Sequence, residues 1–185
     1  PGGFSGPTAF TYRITDAAGI TAEARVQLVV GPFGGIVFVG DETTPGLAEL
    51  HLYDGFESRA LNAALAPGEQ VASFALSGDR RRVAYVVEAA TVDQVFILDV
   101  GAAGSARRIY TGAPKQSGQI FPVQVSLDRD GSRALVVDAN ASYPLRRAMV
   151  RTSDGAVTPV GTTSPGLVQL NGGTFNPVTS EVYFQ

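Results

Sequence analysis

The chain contains no cysteine, so disulfides, thiolate metal sites and cysteine nucleophiles are all excluded. It has one histidine, His51, and one lysine, Lys115; every other basic residue is arginine. With one imidazole, a zinc site would need carboxylates for its other ligands, and a Ser-His-Asp relay would have to pass through His51. Charged residues make up only 17% of the chain, below the usual level of about 25%. No apolar run reaches the roughly 20 residues of a membrane-spanning helix, and Val95 to Val100 is interrupted by Asp99. Membrane insertion is therefore not expected. Nor is nucleic acid: the net charge is −3 and the only basic cluster is Arg80-Arg81-Arg82, which leaves no electrostatic footprint for a polyanion. The preference for arginine over lysine points to a GC-rich bacterial source.

The 185 residues are 44% hydrophobic, with 22 Gly and 11 Pro, a composition that supports a folded core. Helical periodicity is scarce. Short runs of Val, Ile, Phe, Tyr and Thr recur between clusters of Gly, Pro, Asp, Asn and Ser, so the expected fold class is all-β. Two kinds of strand are distinguishable. Phe10, Tyr12 and Ile14 alternate with Thr11, Arg13 and Thr15, and after Asp16-Ala17-Ala18-Gly19 the return strand Thr21 to Val30 alternates again. That describes a hairpin with one apolar and one wet face. Two strands cannot bury such a face alone, so residues 1–31 read as the terminal hairpin of a β-sandwich whose other strands lie elsewhere.

After Gly31-Pro32-Phe33-Gly34-Gly35 the alternation gives way to solid apolar runs at Ile36–Val39, Val83–Val87, Val95–Leu98, Ala134–Val137 and Val182–Phe184. Both faces of these strands should be buried. The connections are too short and glycine-rich for covering helices, so sheets must pack on sheets from both sides, as in radially stacked blades. An internal repeat supports this reading. Leu76–Val87 matches Leu127–Val137, and Phe175–Phe184 has the same turn-then-strand layout; Val83, Ala134 and Val182 are spaced 51 and 48 residues apart. A further copy runs from Gly35–Gly40 to Leu50–Leu61. The expected architecture is a partial β-propeller of four-stranded antiparallel blades, about three to four of them, over residues 32–185. So few blades do not close a ring, so the chain is expected to be part of a longer polypeptide.

The turn and strand Ser77-Gly78-Asp79-Arg80 with Val83-Ala84-Tyr85 resembles the S-P-D-G-x-x-apolar-A-aromatic signature of TolB-like, WD40-like propeller repeats of bacterial envelope proteins. The second copy keeps Asp130-Gly131 and the third Asn176-Pro177. Residues 3–30, through Phe10, Tyr12, Asp16 and Gly19, are similar to the closing strands of cadherin-like or Ig-like repeats of bacterial surface proteins. These resemblances imply an extracellular or cell-envelope location and a non-enzymatic binding or scaffold protein whose propeller loops meet a protein or glycan partner. The alternatives are a segment of an extracellular filament, assembled from copies of the chain by strand sharing, and the propeller domain of a secreted hydrolase.

Few residues carry chemistry. Asp128-Arg129-Asp130-Gly131 resembles the opening of a Ca2+ loop, but Arg133 stands where an EF-hand needs glycine; Asp128 and Asp130 are candidate ligands, with an ordinary hairpin turn as the competing reading. His51, beside Glu49 and Asp54, could act as a base, yet no G-x-S-x-G elbow supplies a nucleophile. Arg80, Arg81 and Arg82 are candidate binding-loop residues, as is His51. The aromatics Phe74, Tyr85, Phe96, Phe121, Phe175 and Tyr183 are expected between blades. No catalytic residues and no cofactor are assigned.

Overall fold

The computed structural model describes residues 6–15, 17–30, 35–42, 44–102, 104–115, 123–138, 146–160, 173–175 and 182–184. All regular structure among them is β. The first sheet contains β1 (Gly6–Thr15), β2 (Thr21–Val30), β3 (Ile36–Gly40), β4 (Glu49–Tyr53) and β5 (Ser58–Ala60), in that order. The second is the meander β6 (Gln70–Leu76), β7 (Arg82–Glu88), β8 (Val92–Asp99) and β9 (Arg107–Pro114). The third is β10 (Gln124–Leu127), β11 (Arg133–Asp138), β12 (Arg146–Arg151) and β13 (Val157–Pro159). A two-stranded sheet pairs β14 (Gly173–Phe175) with β15 (Val182–Phe184).

The repeat read from the sequence is also a repeat in the hydrogen-bond ladder. The pair closing the first turn of each meander is Leu76↔Val83, then Leu127↔Ala134, then Phe175↔Val182. The first sheet follows the same plan, with Val30↔Ile36 in that place. Strand β2 therefore belongs to the hairpin with β1 and also begins the meander β2-β3-β4-β5, and a continuous ladder crosses the Gly-Pro-Phe punctuation. It meets β3 only at Val29↔Val37 and Val30↔Ile36. Among the described residues no strand lies beyond the far end of the hairpin, which is why Ile14 and Ile20 are 62% and 70% exposed.

The sheets stack through their first strands: β6 lies against β10, and β10 against β14. This is the arrangement of propeller blades around an axis, and the fold is a partial β-propeller of antiparallel blades. Strand β7 shows what holds it together. Val83, Tyr85 and Val87 face the first sheet and pack with Val37, Leu50 and Leu52, whereas Ala84 and Val86 face the third and pack with Leu127, Ala134, Val136 and Val150. All five β7 side chains are at most 3% exposed, which explains why the run could not alternate. Burying one such Val or Leu contributes about 1.5–3 kcal/mol, and a central blade collects that on both faces. Phe74, Tyr85 and Phe96 lie in the first seam as expected, with Tyr85 and Phe96 stacked at 5.3 Å. Phe121 and the side chains of Phe175 and Tyr183 lie outside the described structure.

Candidate functional site

The meander gives the stack two ends. One, the hairpin end, gathers the β4–β5, β6–β7, β8–β9, β10–β11 and β12–β13 turns. The other gathers the β7–β8 turns, the ends of β9 and β11 and the start of β10.

At the hairpin end, Ser77 is 2% exposed and its hydroxyl donates to the Asp79 carboxylate at 2.7 Å. Arg80 adopts a left-handed φ of 61°, the only non-glycine residue to do so among those described. The whole turn leans on the next blade: the Gly78 and Asp79 amides donate to the Asp128 and Arg129 carbonyls at 3.3 and 2.7 Å. The three arginines therefore do not act together. Arg82 is committed to the seam, its Nε on Asp99 at 3.0 Å within the sheet and its Nη1 on the Gly131 carbonyl at 3.2 Å in the next. Gly131 has a φ of 69°, and a Cβ there would come within 2.8 Å of the Arg82 side chain. Arg81 is the exposed member of the triplet.

Asp128 is buried, and the chain's own donors occupy both of its oxygens: the Arg133 amide at 3.1 Å on one, the Ser132 hydroxyl at 3.1 Å and Arg133 Nε at 2.9 Å on the other. Asp130 accepts from the Ser132 amide at 2.9 Å, and its bonds to Ser132 hold its pKa below the ordinary aspartate value. The pair staples a turn. Among the described residues no three His, Asp or Glu side chains converge as a metal site requires.

His51 is not in a loop. It sits in β4 opposite Phe38, 1% exposed and stacked on that ring at 5.3 Å, and its Nε2 has no hydrogen-bond partner among the described residues. Asp54 uses a carboxylate oxygen to accept from the Phe56 and Glu57 amides at 2.9 and 3.1 Å. These two bonds, Glu57 first, draw its pKa below the ordinary value.

The opposite end holds a polar cluster that the sequence did not single out. Asp93 and Asp138 are both fully buried. Asp138 accepts from the Ala113 amide at 2.7 Å and the Tyr110 hydroxyl at 3.2 Å. Asp93 accepts from the Val123 amide at 3.2 Å and pairs with Lys115 at 2.8 Å; Lys115 also reaches Glu88 at 3.1 Å. Burial pulls the Lys115 pKa down, but the bonds to Asp93 and Glu88 outweigh it and leave it raised; the bonds from Gln70 and Lys115 lower that of Glu88. The available signals were an aspartate ending an apolar run, Val136-Val137-Asp138, and a solitary lysine in a chain that otherwise uses arginine. Gly112 lines this seam, where a Cβ would sit 3.1 Å from the Asp93 carbonyl.

Two clefts open at the hairpin end. One of about 100 Å³ is lined by Arg82, Asp99, Ser105, Arg107 and Thr152; another of about 280 Å³ lies along Arg108–Thr111 and Asp154–Val157. Both fall below the roughly 300–1,000 Å³ usual for small-molecule pockets.

No family model matches the chain, and no curated protein sequence does. Solved structures do. A protein assigned as TolB from Agrobacterium tumefaciens superposes with a TM-score of 0.58 at 12% identity, over 95% of this chain and 69% of its own. TolB from Acinetobacter baumannii gives 0.58 at 13%, over 100% of this chain and 48% of its own. An oligogalacturonate lyase in complex with manganese gives 0.58 at 14%, over 92% and 49%. The chain thus spans about half the length of the last two. These likenesses establish the propeller fold.

Proposed function

We propose that the chain is a non-enzymatic binding or scaffold protein of the bacterial cell envelope or extracellular space, which offers the hairpin end of its propeller to a protein or glycan partner. The observation that carries this is the way the turns are locked. Backbone bonds from Gly78 and Asp79, the Arg82 clamp on Gly131, and a bond from Arg107 Nη2 to the Thr152 carbonyl tie the turns of one blade to those of the next. A face fixed in this way loses little freedom on binding, which favours recognition by loops on a rigid scaffold. The likeness to TolB structures and the repeat signature favour an envelope location, and no helix among the described residues is long and apolar enough to cross a membrane.

The test is a photo-crosslinking residue at Arg81 in the protein as the source bacterium makes it, with fractionation of the cells. The expected result is an envelope or extracellular fraction containing a discrete adduct. Confinement to the cytoplasm, or turnover of oligogalacturonate by the purified protein supplied with manganese, would overturn the reading; regular fibres under the electron microscope would replace it with the filament.

A further inference from the structure

The β4–β5, β8–β9 and β12–β13 turns are the same hairpin in three successive blades, so they act as controls for one another. In the second blade the turn carries Gly101 and Ala102, and in the third Ser153, Asp154 and Gly155. In the first it is Asp54-Gly55-Phe56-Glu57, and Phe56 is 96% exposed. The fold does not require an aromatic ring there, since its two counterparts do without one. An isolated exposed apolar residue would mean little, but Tyr53 beside it is also 39% exposed and the turn is fixed from several directions. Asp54 accepts from the Phe56 and Glu57 amides, its own amide donates to the Glu57 carbonyl at 3.2 Å, and the Tyr53 hydroxyl donates to the Gly55 carbonyl at 2.9 Å. Gly55 has a φ of 105°, open to glycine and strained for other residues. Behind the turn, Arg59 Nη2 donates to the Val100 carbonyl at 3.3 Å and ties the hairpin to the second blade.

We infer that Phe56 is the anchor through which this chain docks on a partner protein, by insertion into an apolar pocket with a basic rim. The inference rests on the binding-face reading above and names the partner's chemistry. The tip is a convex knob, which suits a hole in another protein; it cannot enclose a sugar, whose recognition needs several polar groups converging around it. Rigid aromatic anchors that fill a pocket carry a large share of protein–protein affinity, and the prefixed turn lowers the ordering cost of docking. The flanking Asp54 and Glu57 carboxylates are both exposed; they complement lysine or arginine at the rim of the hole and make attachment weaker as salt rises.

The experiment places a photo-crosslinking residue in turn at Phe56, Ala102 and Ser153 in the protein expressed in its source cells, identifies the adduct by mass spectrometry, and measures binding of that purified partner. The expected adduct forms from position 56 and not from the other two tips. Phe56→Ala should then weaken binding by about 30-fold or more and Glu57→Lys by several-fold at low salt, while Thr91→Ala, on the exposed β7–β8 turn at the opposite end, binds as the parent does. All three substitutions lie on exposed turns, and an unchanged unfolding midpoint verifies that the variants fold. Equal adducts from all three tips, binding indifferent to Phe56→Ala, an adduct made only of a second copy of this chain, or binding confined to a glycan array would each overturn the anchor. Adducts from Arg81 with none from Phe56 would sink the anchor and leave the binding face standing; adducts from neither would sink both.

Discussion

The two ends of the seam between the second and third blades solve the same problem with opposite chemistry. At the hairpin end, positive side chains reach across to neutral carbonyls: Arg82 to Gly131, Arg107 to Thr152. At the other, fully buried carboxylates collect donors from both blades, Asp138 from Tyr110 and Ala113, Asp93 from Val123 and Lys115. At the first end the Arg82 and Asp99 side chains are 39% and 57% exposed, so solvent can substitute for the bonds that Arg82 makes there. The second has no such reserve. Stability should therefore depend on the buried acids, and the exposed turns should be free to vary for recognition.

Removing the positive charge should separate the two ends most sharply. Lys115→Met keeps the aliphatic stem but leaves Asp93 buried without its cation, and the loss should be about 3–5 kcal/mol by chemical denaturation; a loss below 1 kcal/mol would mean that water reaches Asp93. Asp138→Ala comes next, at about 1–3 kcal/mol, because the Tyr110 and Ala113 donors lose their acceptor inside the seam. Thr152→Val, which removes the buried 2.5 Å bond to Gly131, should cost about 1 kcal/mol. Arg82→Met should cost under about 1 kcal/mol, since exposed ion pairs contribute little. The order of these four melts tests the comparison itself, and a larger effect from Arg82 than from Asp138 would reverse it.

The pH dependence follows from the same cluster. Glu88 has a folded pKa below its ordinary 4.5, so its contribution is present above that value and is lost as the pH falls through the lowered one. Lys115 is raised above 10.5, so its contribution is complete below 10.5 and is lost as the pH rises through the raised value. Lys115→Met should flatten the alkaline limb of the pH–stability profile and only shrink the acid one, where the Gln70 bond to Glu88 persists, whereas Arg82→Met should leave both in place.

His51 gives the smallest expected effect. Its Nε2 is buried with no partner among the described residues, so His51→Phe, which extends the stack on Phe38, should be neutral or slightly stabilising. Any catalytic activity abolished by that change would restore His51 as a base.

Much of the fold was legible in the residues. Solid apolar runs such as Val83–Val87 without helices beside them implied burial on both faces, and the matched turns at Ser77 and Asp128 implied equivalent meanders. The hairpin 6–30 was legible as two strands, but not its continuation into β3, because two ladder pairs across a glycine-rich link leave no periodic trace. The candidate site was less legible. Ser77 and Asp128 were readable as turn chemistry, but nothing local distinguishes Arg82, which clamps the next blade, from Arg81, which faces water.

Local pattern alone is enough to show that this chain is built of β-strands, which runs have two dry faces, and that the meander recurs at intervals of about 50 residues, because alternation and turn chemistry are properties of neighbours along the chain. It takes the folded chain to show that Asp93, Asp138, Tyr110 and Lys115 meet in one seam, and that Phe56 stands in solvent while Phe96 lies between blades. Those outcomes depend on which blade covers which face. That is set by packing between residues tens of positions apart, and the pattern within a strand carries no record of it.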